Sequence, residues 1–162
     1  SPANINRFAR APDSSVGIVT IYCASPSGSP SAEDLQAVRD RIEAVFARPD
    51  SVTVSVLAAT PVAFTRTVTV WARATPGLRA EDVSELVGQA LLDYLKAYPI
   101  GGIKKPPSSQ GYLYADAVAS AALRAHASIF DVDFDVASDM ALAAGEVASL
   151  ATTITVRIVE VP

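Results

Sequence analysis

The chain has 162 residues, the length of one domain or of two small ones, and half of them are apolar while 19% are charged. This composition excludes an intrinsically disordered chain, and the single cysteine excludes an internal disulfide framework. The 17 acidic and 13 basic residues give a net charge of −4, which disfavours nucleic acid as a partner, and no apolar run approaches the about 18 residues that a membrane-spanning helix needs.

The first part of the chain predicts an irregular start followed by a strand. Residues 1–15 mix Asn, Arg, Pro and Ser and predict a linker or strap. The chain starts at Ser1, and we interpret it as a fragment of a longer protein with a domain upstream. Residues 16–23 are apolar and β-branched on both faces, which is typical of a strand that is covered on both sides.

A helix and a second strand follow. Ser31 stands three residues before Asp34, close to the spacing of a capping box, and apolar residues then recur at helical spacing. Pro49 lacks the N–H group that would continue this helix, so we expect the helix to end near Arg48. Residues 52–57 alternate between apolar and polar side chains and predict a second strand.

The second part of the chain begins with a long predicted strand over residues 62–75. Its apolar side chains point to one face, and its Thr and Arg side chains together with Trp71 point to the other. Residues 83–98 then show the period of an amphipathic helix, which Pro99 ends. Residues 100–110 contain Gly, Pro and Lys and predict a long irregular loop.

The last third of the chain predicts a helix and two strands. Residues 115–125 are rich in Ala and predict the third helix. Residues 140–150 have weak periodicity and contain Gly145, so we expect a loop there, before a final strand over 154–158. Between them lies a strand with a buried apolar face and an acidic outer row, formed by Phe130, Val132, Phe134 and Val136 against Asp131, Asp133 and Asp135.

The order of elements is therefore β-α-β followed by β-α-α-β-β. We predict an α+β fold in which mostly antiparallel sheets carry helices on one face. The predicted organisation is a linker or strap over 1–15, a first segment over 16–60 and a second segment over 61–162. These two segments form either one compact domain or two small subdomains.

The acidic row is the strongest chemical signal in the sequence. Its D-x-D-x-D spacing is similar to the first half of a calcium loop, but such a loop needs Gly at its sixth position and Glu at its twelfth. Val136 and Leu142 occupy those positions. On a strand the carboxylates also lie about 6.5 Å apart and cannot surround one ion. We therefore predict no metal at Asp131, Asp133, Asp135 or Asp139, and a solvated strand face instead.

Two residue types with catalytic potential occur once each. His126 is expected near the end of the third helix, where a cation complements the helix dipole. Cys23 ends an apolar strand, and we predict a buried, inert thiol. The alternative is an enzyme in which the fold brings Cys23 and His126 together as a nucleophile and its base.

Other motifs with catalytic or phosphate-binding potential are incomplete. Ser14 and Ser15 lack the strand–turn–helix context of a nucleophile elbow. The pair Gly101-Gly102, followed by Lys104-Lys105, lacks the spacing of a P-loop. We predict no catalytic residue and no cofactor, so the chain is not expected to be an enzyme or to take a small-molecule substrate.

Three aromatic residues are candidates for a protein interface. Trp71 lies on the Thr and Arg face of its strand, and Tyr112 and Tyr114 lie in the loop before the third helix. Aromatic side chains are enriched at such interfaces. The alternative for Trp71 is that it packs beneath a helix.

Several segments, taken in order, resemble the baseplate J family of contractile phage tails, the Mu-like baseplate wedge proteins. A strand starting at Gly17 leads through a loop rich in small residues, 25–31, into the first helix. The later segments match in the same order: Arg48-Pro49, Val52-Thr53-Val54, Thr60-Pro61-Val62, Pro76-Gly77, the helix of Leu91, Leu92, Tyr94 and Leu95, Ile100-Gly101-Gly102, and Gly145-Glu146-Val147 with Leu150. The resemblance covers about residues 17–159 and corresponds to the C-terminal part of such a protein.

The resemblance implies a structural virion component that is assembled in the bacterial host cytoplasm and located in the tail baseplate. Its expected partners are other baseplate or wedge subunits, and a homo-oligomer is a further alternative. The family has no known catalytic residues as a class, so none is transferred to this chain. The upstream β-rich domain typical of the family is absent here, which agrees with a fragment.

The sequence also departs from the family pattern and leaves another function open. Family members usually carry Gly-Val before the aspartate of the penultimate strand, where this chain has Ile129-Phe130, and the loop at 105–107 is unusual. The alternative function is a small ferredoxin-like regulatory or ligand-binding module. A deep apolar pocket with converging polar groups would favour that alternative.

Overall fold

The computed structural model describes residues 5–11, 17–26, 28–45 and 52–160, and these residues form three helices and eleven strands. The predicted α+β class is confirmed. The helices are α1 (Ala32–Val45), α2 (Ala80–Ala97) and α3 (Ala115–Leu123). The strands are β1 (Arg7–Arg10), β2 (Ile18–Ala24), β3 (Thr53–Ala58), β4 (Thr60–Phe64), β5 (Thr67–Arg73), β6 (Ile103–Lys104), β7 (Gly111–Leu113), β8 (Ile129–Phe134), β9 (Met140–Leu142), β10 (Glu146–Leu150) and β11 (Thr153–Val159).

The strands form mixed sheets in the described part of the chain, with four antiparallel and three parallel pairings. Each parallel pairing joins strands that are separated by at least one helix, because parallel strands need a crossover connection. The strand orders are β1-β2-β3, β10-β4, β11-β5-β8 and β6-β7-β9.

The first segment contains a β2-α1-β3 crossover unit, in which β2 and β3 pair in parallel. The predicted capping box is present at the start of α1. The Asp34 N–H donates to Ser31 Oγ over 3.1 Å, and the Ser31 N–H donates to Asp34 Oδ2 over 3.2 Å. The predicted helix end at Arg48 and Pro49 lies outside the described residues.

The prediction of a linker or strap over 1–15 is wrong for residues 7–10, which form β1. This strand pairs antiparallel with β2, with Phe8 opposite Cys23. Four residues are too few to show a side-chain period, and β1 forms because the edge of β2 offers backbone partners. Residues 1–4 and 12–15, including the Ser14 and Ser15 pair, lie outside the described residues.

Two consecutive strands, β4 and β5, pair with two later consecutive strands, β10 and β11. The strand predicted over 62–75 is divided into β4 and β5, and the loop predicted over 140–150 is wrong, because β9 and β10 form there. β10 pairs in parallel with β4, and β11 pairs in parallel with β5. Between the two ladders the Thr153 N–H donates to the Arg66 carbonyl over 3.0 Å. The small residues of β10 give a weak strand signal, and it is the ladder with β4 that fixes its extended backbone.

A β-bulge in β8 changes which of its side chains point toward the core. Trp71 pairs with Asp131 and Ala72 pairs with Ile129, so Phe130 is an extra residue in the ladder. The predicted buried face is confirmed for Val132 and Phe134, which pack against the core, and is wrong for Phe130 and Val136, which are 45% and 44% exposed. The bulge interrupts the two-residue period at Phe130, and Val136 follows the end of the strand.

The main core lies between the β11-β5-β8 sheet and helices α2 and α3. The predicted apolar face of α2 is confirmed, and α2 contacts β11 while α3 contacts β8. Helices therefore cover one face of this sheet, which we call the inner face. The fully buried side chains of the main core include Val68 and Val70 from the sheet, and Val83, Val87, Leu91 and Val118 from the helices. No helix in the described residues is long and apolar enough to span a membrane.

A second, smaller core joins the two predicted segments. Ala24 and Ala59 of the first segment pack with Ile100 and Val147 of the second. The Thr60 N–H donates to the Gly145 carbonyl over 2.9 Å beside this cluster. Residues 16–60 and 61–162 therefore share buried apolar surface in their described parts.

Candidate functional site

Trp71 lies on β5, the middle strand of the β11-β5-β8 sheet, on the outer face, opposite the face that the helices cover. Burial alternates along β5, with Val70 and Ala72 buried and Trp71 half-buried on the other side, as predicted. The indole Nε1–H donates to Asp133 Oδ2 over 3.1 Å. The Arg157 guanidinium lies 5.6 Å from the indole centroid, within range of a cation–π interaction. These two contacts hold Trp71 in one orientation, and helices α2 and α3, which contact this sheet, lie on its inner face.

The residues around Trp71 form three rows across the sheet. Arg157, Trp71 and Asp131 form the first row, as register partners on β11, β5 and β8. The second row is Thr155, Thr69 and Asp133, and the third is Thr153 and Thr67, with the Asp135 N–H donating to the Thr67 carbonyl over 3.1 Å. We call these nine residues the Trp71 face.

The carboxylates of the acidic row have separate local partners. Two of them accept the N–H of the next residue along the β8 edge, one accepts the Trp71 indole, and one caps the start of α3. These bonds join Asp131 to the Val132 N–H (2.9 Å), Asp135 to the Val136 N–H (2.8 Å) and Asp139 to the Ala115 N–H (2.9 Å). No group of three or more His, Cys, Asp and Glu side chains within the described residues is arranged to hold a metal ion. The row saturates edge N–H groups that could otherwise pair with another strand.

Tyr112 and Tyr114 form a second aromatic cluster. Tyr112 lies in β7, so its predicted place in a loop is wrong, as is the irregular backbone predicted at β6 within 100–110. Tyr114 immediately precedes α3, and the ring centroids of the two tyrosines are 6.1 Å apart. Lys105 Nζ lies 4.1 Å from the Tyr114 centroid, and the Tyr98 hydroxyl donates to the Tyr112 carbonyl over 2.8 Å. The structure thus brings two of the three predicted interface residues together, while Trp71 lies on a different sheet.

Cys23 and His126 have different neighbours. Cys23 is fully buried in β2, and burial raises the pKa of its thiol although the nearby Arg39 opposes this shift. His126 follows α3, and its Nδ1 lies 2.7 Å from Ser128 Oγ and accepts the Ser128 N–H over 3.1 Å. Both of these contacts stay within the loop that follows α3, and neither joins His126 to β2.

Arg7 is a functional residue of the scaffold that the sequence analysis missed. Its guanidinium donates to the carbonyls of Ser25 (2.7 Å), Leu95 (3.0 Å) and Tyr98 (3.2 Å). The last two belong to the C-terminal turn of α2, where a positive charge complements the helix dipole. Burial lowers the pKa of Arg7. No local pattern around Arg7 indicates this role, because its acceptors are 18 to 91 residues away.

The glycines of the family resemblance are explained by backbone geometry. Gly17, Gly28, Gly101, Gly102 and Gly145 all have positive φ, a region that side-chain-bearing residues rarely adopt. At Gly145 an added Cβ would lie 2.6 Å from the Tyr22 ring. These positions define how the chain turns and where its segments meet.

A cleft of about 440 Å³ lies beside the C-terminal half of α2. Its lining includes Arg7, Leu92, Lys96 and Leu150. The Arg7 guanidinium donates to backbone carbonyls, as described above. No protein-family model matches this chain, and no curated protein matches it.

Proposed function

We propose that this domain is a structural module of a contractile phage-tail baseplate and that it acts by binding other tail proteins. The proposal starts from the ordered resemblance to the baseplate J family. It is supported by the glycines of that resemblance, since Gly101, Gly102 and Gly145 stand where the backbone requires glycine. Under this proposal the protein is assembled in the bacterial host cytoplasm and located in the virion tail.

The observation that carries the proposal is the Trp71 face. It is a sheet surface with an oriented tryptophan on its middle strand and an arginine beside it. Trp, Tyr and Arg are the residue types that contribute most to protein interfaces, especially where neighbouring polar groups exclude water. A side chain already held by Asp133 and Arg157 loses little conformational entropy on binding.

The cluster of Tyr112, Tyr114 and Lys105 is a second candidate contact. It combines two half-buried aromatic rings with a cation over one of them. Because it lies on the β6-β7-β9 sheet and not on the Trp71 face, each surface is able to contact a different neighbour. Two contacts on one subunit suit an assembly in which each subunit has several partners.

The ligand-binding alternative has less support from the geometry. Such a module needs polar groups that converge on an apolar pocket. In the cleft of about 440 Å³ the Arg7 guanidinium is bonded to backbone oxygens. We therefore place the interaction chemistry on the sheet surfaces.

Reconstitution of the full-length protein with its neighbouring baseplate subunits tests the proposal. Replacing Trp71, Tyr112 and Tyr114 together by Ala is expected to leave the fold intact and to reduce wedge assembly by at least about tenfold, since interface aromatics often contribute 2 kcal/mol or more each. Single-site variants separate the two surfaces. Leu86→Ala with Leu123→Ala, two exposed helix positions, is the matched control and is expected to assemble normally.

Two results would contradict this proposal in different ways. Normal assembly of the triple variant would show that these aromatics are not the contact surface. Failure of the unmodified full-length protein to associate with any tail component would overturn the structural function itself.

A further inference from the structure

The Trp71 face is chemically asymmetric from one edge to the other. The β11 column presents donors, namely the hydroxyls of Thr153 and Thr155 and the guanidinium of Arg157. The β8 column presents acceptors, namely the carboxylates of Asp131, Asp133 and Asp135. The rows place each donor level with an acceptor, with β5 and Trp71 between them.

We propose that this face binds a second copy of this chain, with a twofold axis parallel to β5 between the two sheets. A rotation of 180° about that axis places β11 of each copy over β8 of the other and β5 over β5. Symmetric dimers require a patch that is complementary to itself in this way. The proposal rests on the chemistry of the face and does not depend on the baseplate function. A second copy and a tail subunit bound at this face would exclude each other.

The rotation does not shift residues along β5, so each row of one copy faces the same row of the other copy. This determines which side chains meet. Arg157 of one copy faces Asp131 of the other, and the reverse contact forms at the same time. Thr155 faces Asp133 and Thr153 faces Asp135, so hydroxyl donors meet carboxylate acceptors. An Arg and an Asp together can bridge the about 10 Å between packed sheets. Asp131 has a carboxylate oxygen left for this contact, because only Oδ1 accepts the Val132 N–H.

The same geometry disfavours other arrangements. Sliding one copy along β5 by two residues places Arg157 of one copy opposite Asp133 but leaves Arg157 of the other copy beyond the acidic row, so one of the two Arg–Asp pairs is lost. Rotating one sheet by a half-turn in its own plane places aspartates over aspartates and Arg157 near the Thr residues of the other copy. Like charges that face each other weaken an interface, so the charge pattern selects the twofold axis along β5.

The size of the face predicts a weak dimer. Three strands about 4.8 Å apart and about seven residues long give an area of roughly 15 by 23 Å, or about 700 Å² over both copies. Stable interfaces bury at least about 1,200 Å² in total. We expect a dissociation constant of roughly 10⁻⁴ M, and because its specific contacts are ionic, the association weakens in high salt.

Sedimentation of the 162-residue chain over a concentration range around that value tests the proposal. The weight-average mass is expected to rise toward twice the monomer mass and to fall again in about 1 M NaCl, where the screening length is about 3 Å. Trp71 is the one tryptophan in the chain. Its emission is therefore expected to change with the same concentration dependence as the mass.

Charge reversal at the two ends of the first row gives the decisive experiment. Arg157→Asp and Asp131→Arg are each expected to weaken self-association at least about tenfold, because each places two like-charge pairs across the axis. Mixing the two variants restores both opposite-charge pairs and is expected to give a heterodimer. Combining both substitutions in one chain is expected to restore the homodimer. Glu85→Arg, an exposed change of equal charge on α2, is the control and is expected to behave as the wild type.

The outcomes separate the proposal from its alternatives. Recovery of association on mixing the two variants supports this axis and this pairing. Undiminished association of the single variants would place a dimer elsewhere on the molecule and overturn the proposal. A chain that stays monomeric throughout also overturns it, without bearing on whether the full-length protein binds other tail subunits.

Discussion

The guanidinium of Arg7 donates a 3.0 Å hydrogen bond to the carbonyl oxygen of Leu95, 88 residues further along the chain. Together with its bonds to Tyr98 and Ser25, this contact ties β1 to the C-terminal end of α2 and to the loop after β2. Helix termini leave carbonyl groups without partners. Arg7 donates to two carbonyls of this terminus from a different element, and the Leu95 carbonyl also accepts the Tyr98 N–H.

Arg7→Met is expected to lower the free energy of unfolding by about 2–4 kcal/mol. The variant keeps an unbranched side chain but removes the donor of the Tyr98 carbonyl, and an unpaired buried oxygen is more costly than a lost solvated hydrogen bond. The Leu95 and Ser25 carbonyls each lose one of two donors and keep the N–H groups of Tyr98 and Gly28. Urea unfolding followed by circular dichroism measures the change. Arg10→Met, at an exposed position of the same strand, is expected to change stability by less than about 0.5 kcal/mol. Equal losses of stability in Arg7→Met and Arg10→Met would show that the hydrogen bonds of Arg7 do not specifically stabilise the fold.

Gly145→Ala is expected to destabilise the fold by more than Gly77→Ala. Both glycines have similar positive φ, +84° and +81°, so the backbone strain of roughly 1–2 kcal/mol is shared. At Gly77 nothing lies within 4 Å of an added Cβ, whereas at Gly145 the Tyr22 ring lies 2.6 Å away. The difference between the two variants in thermal or urea melts isolates the steric contact.

The double variant Gly145→Ala/Tyr22→Ala checks this reading of the Gly145 site. Removing the ring removes the clash, so the cost of Gly145→Ala in the Tyr22→Ala background is expected to fall to that of Gly77→Ala. An unchanged cost would assign the whole effect to the backbone. It would also show that the contact between Gly145 and Tyr22 does not constrain how the two segments meet.

Cys23 is expected to react slowly with thiol reagents while the protein is folded. Its side chain has no exposed surface, and burial raises the pKa of the thiol, so little thiolate is present at neutral pH. Labelling is measured in buffer and in denaturing urea, where the reaction is expected to be fast. Rapid labelling of the folded chain would contradict both the burial and the pKa shift.

The same shift predicts how stability depends on pH. Because the folded state holds the Cys23 proton more tightly than the unfolded chain, the unfolded chain loses its proton first as the pH rises. The contribution of the Cys23 pKa shift to the free energy of unfolding is complete below the usual thiol pKa of about 8.5 and is lost at higher pH. Between about pH 8 and 9.5 the wild type is expected to lose more stability than Cys23→Ala. Parallel pH profiles of the two proteins would refute this assignment.

Calcium is expected to leave the melting temperature unchanged. The carboxylates of Asp131, Asp133 and Asp135 lie along one strand and each has a separate local partner. A ligand that binds only the folded state must raise the melting temperature. Melts with and without millimolar calcium should therefore superimpose, and a rise of several degrees would mean that the row does bind the ion.

Local patterns in the sequence determined much of the secondary structure. The four-residue spacing of Val83, Val87, Leu91 and Leu95 predicted the buried face of α2, and the spacing of Ser31 and Asp34 predicted the cap of α1. The alternation along β5 predicted that Trp71 would face away from the core. Each of these features depends on neighbours within about one helical turn or one strand, so the residues that carry it are adjacent in the sequence.

Only the tertiary structure decided the features that depend on distant partners. β1 and β10 have weak strand signals and form because β2 and β4 pair with them. The bulge at Phe130 arises in the ladder with β5, and it exposes a side chain that alternation alone would bury. The parallel register of β11 with β5 places Arg157 beside Trp71, and the antiparallel register of β8 places Asp133 there. Nearly every residue type makes the backbone hydrogen bonds between strands, so these bonds do not depend on which side chains are present. A sequence therefore specifies which side chains of a strand face outward more strongly than it specifies which strand pairs with it.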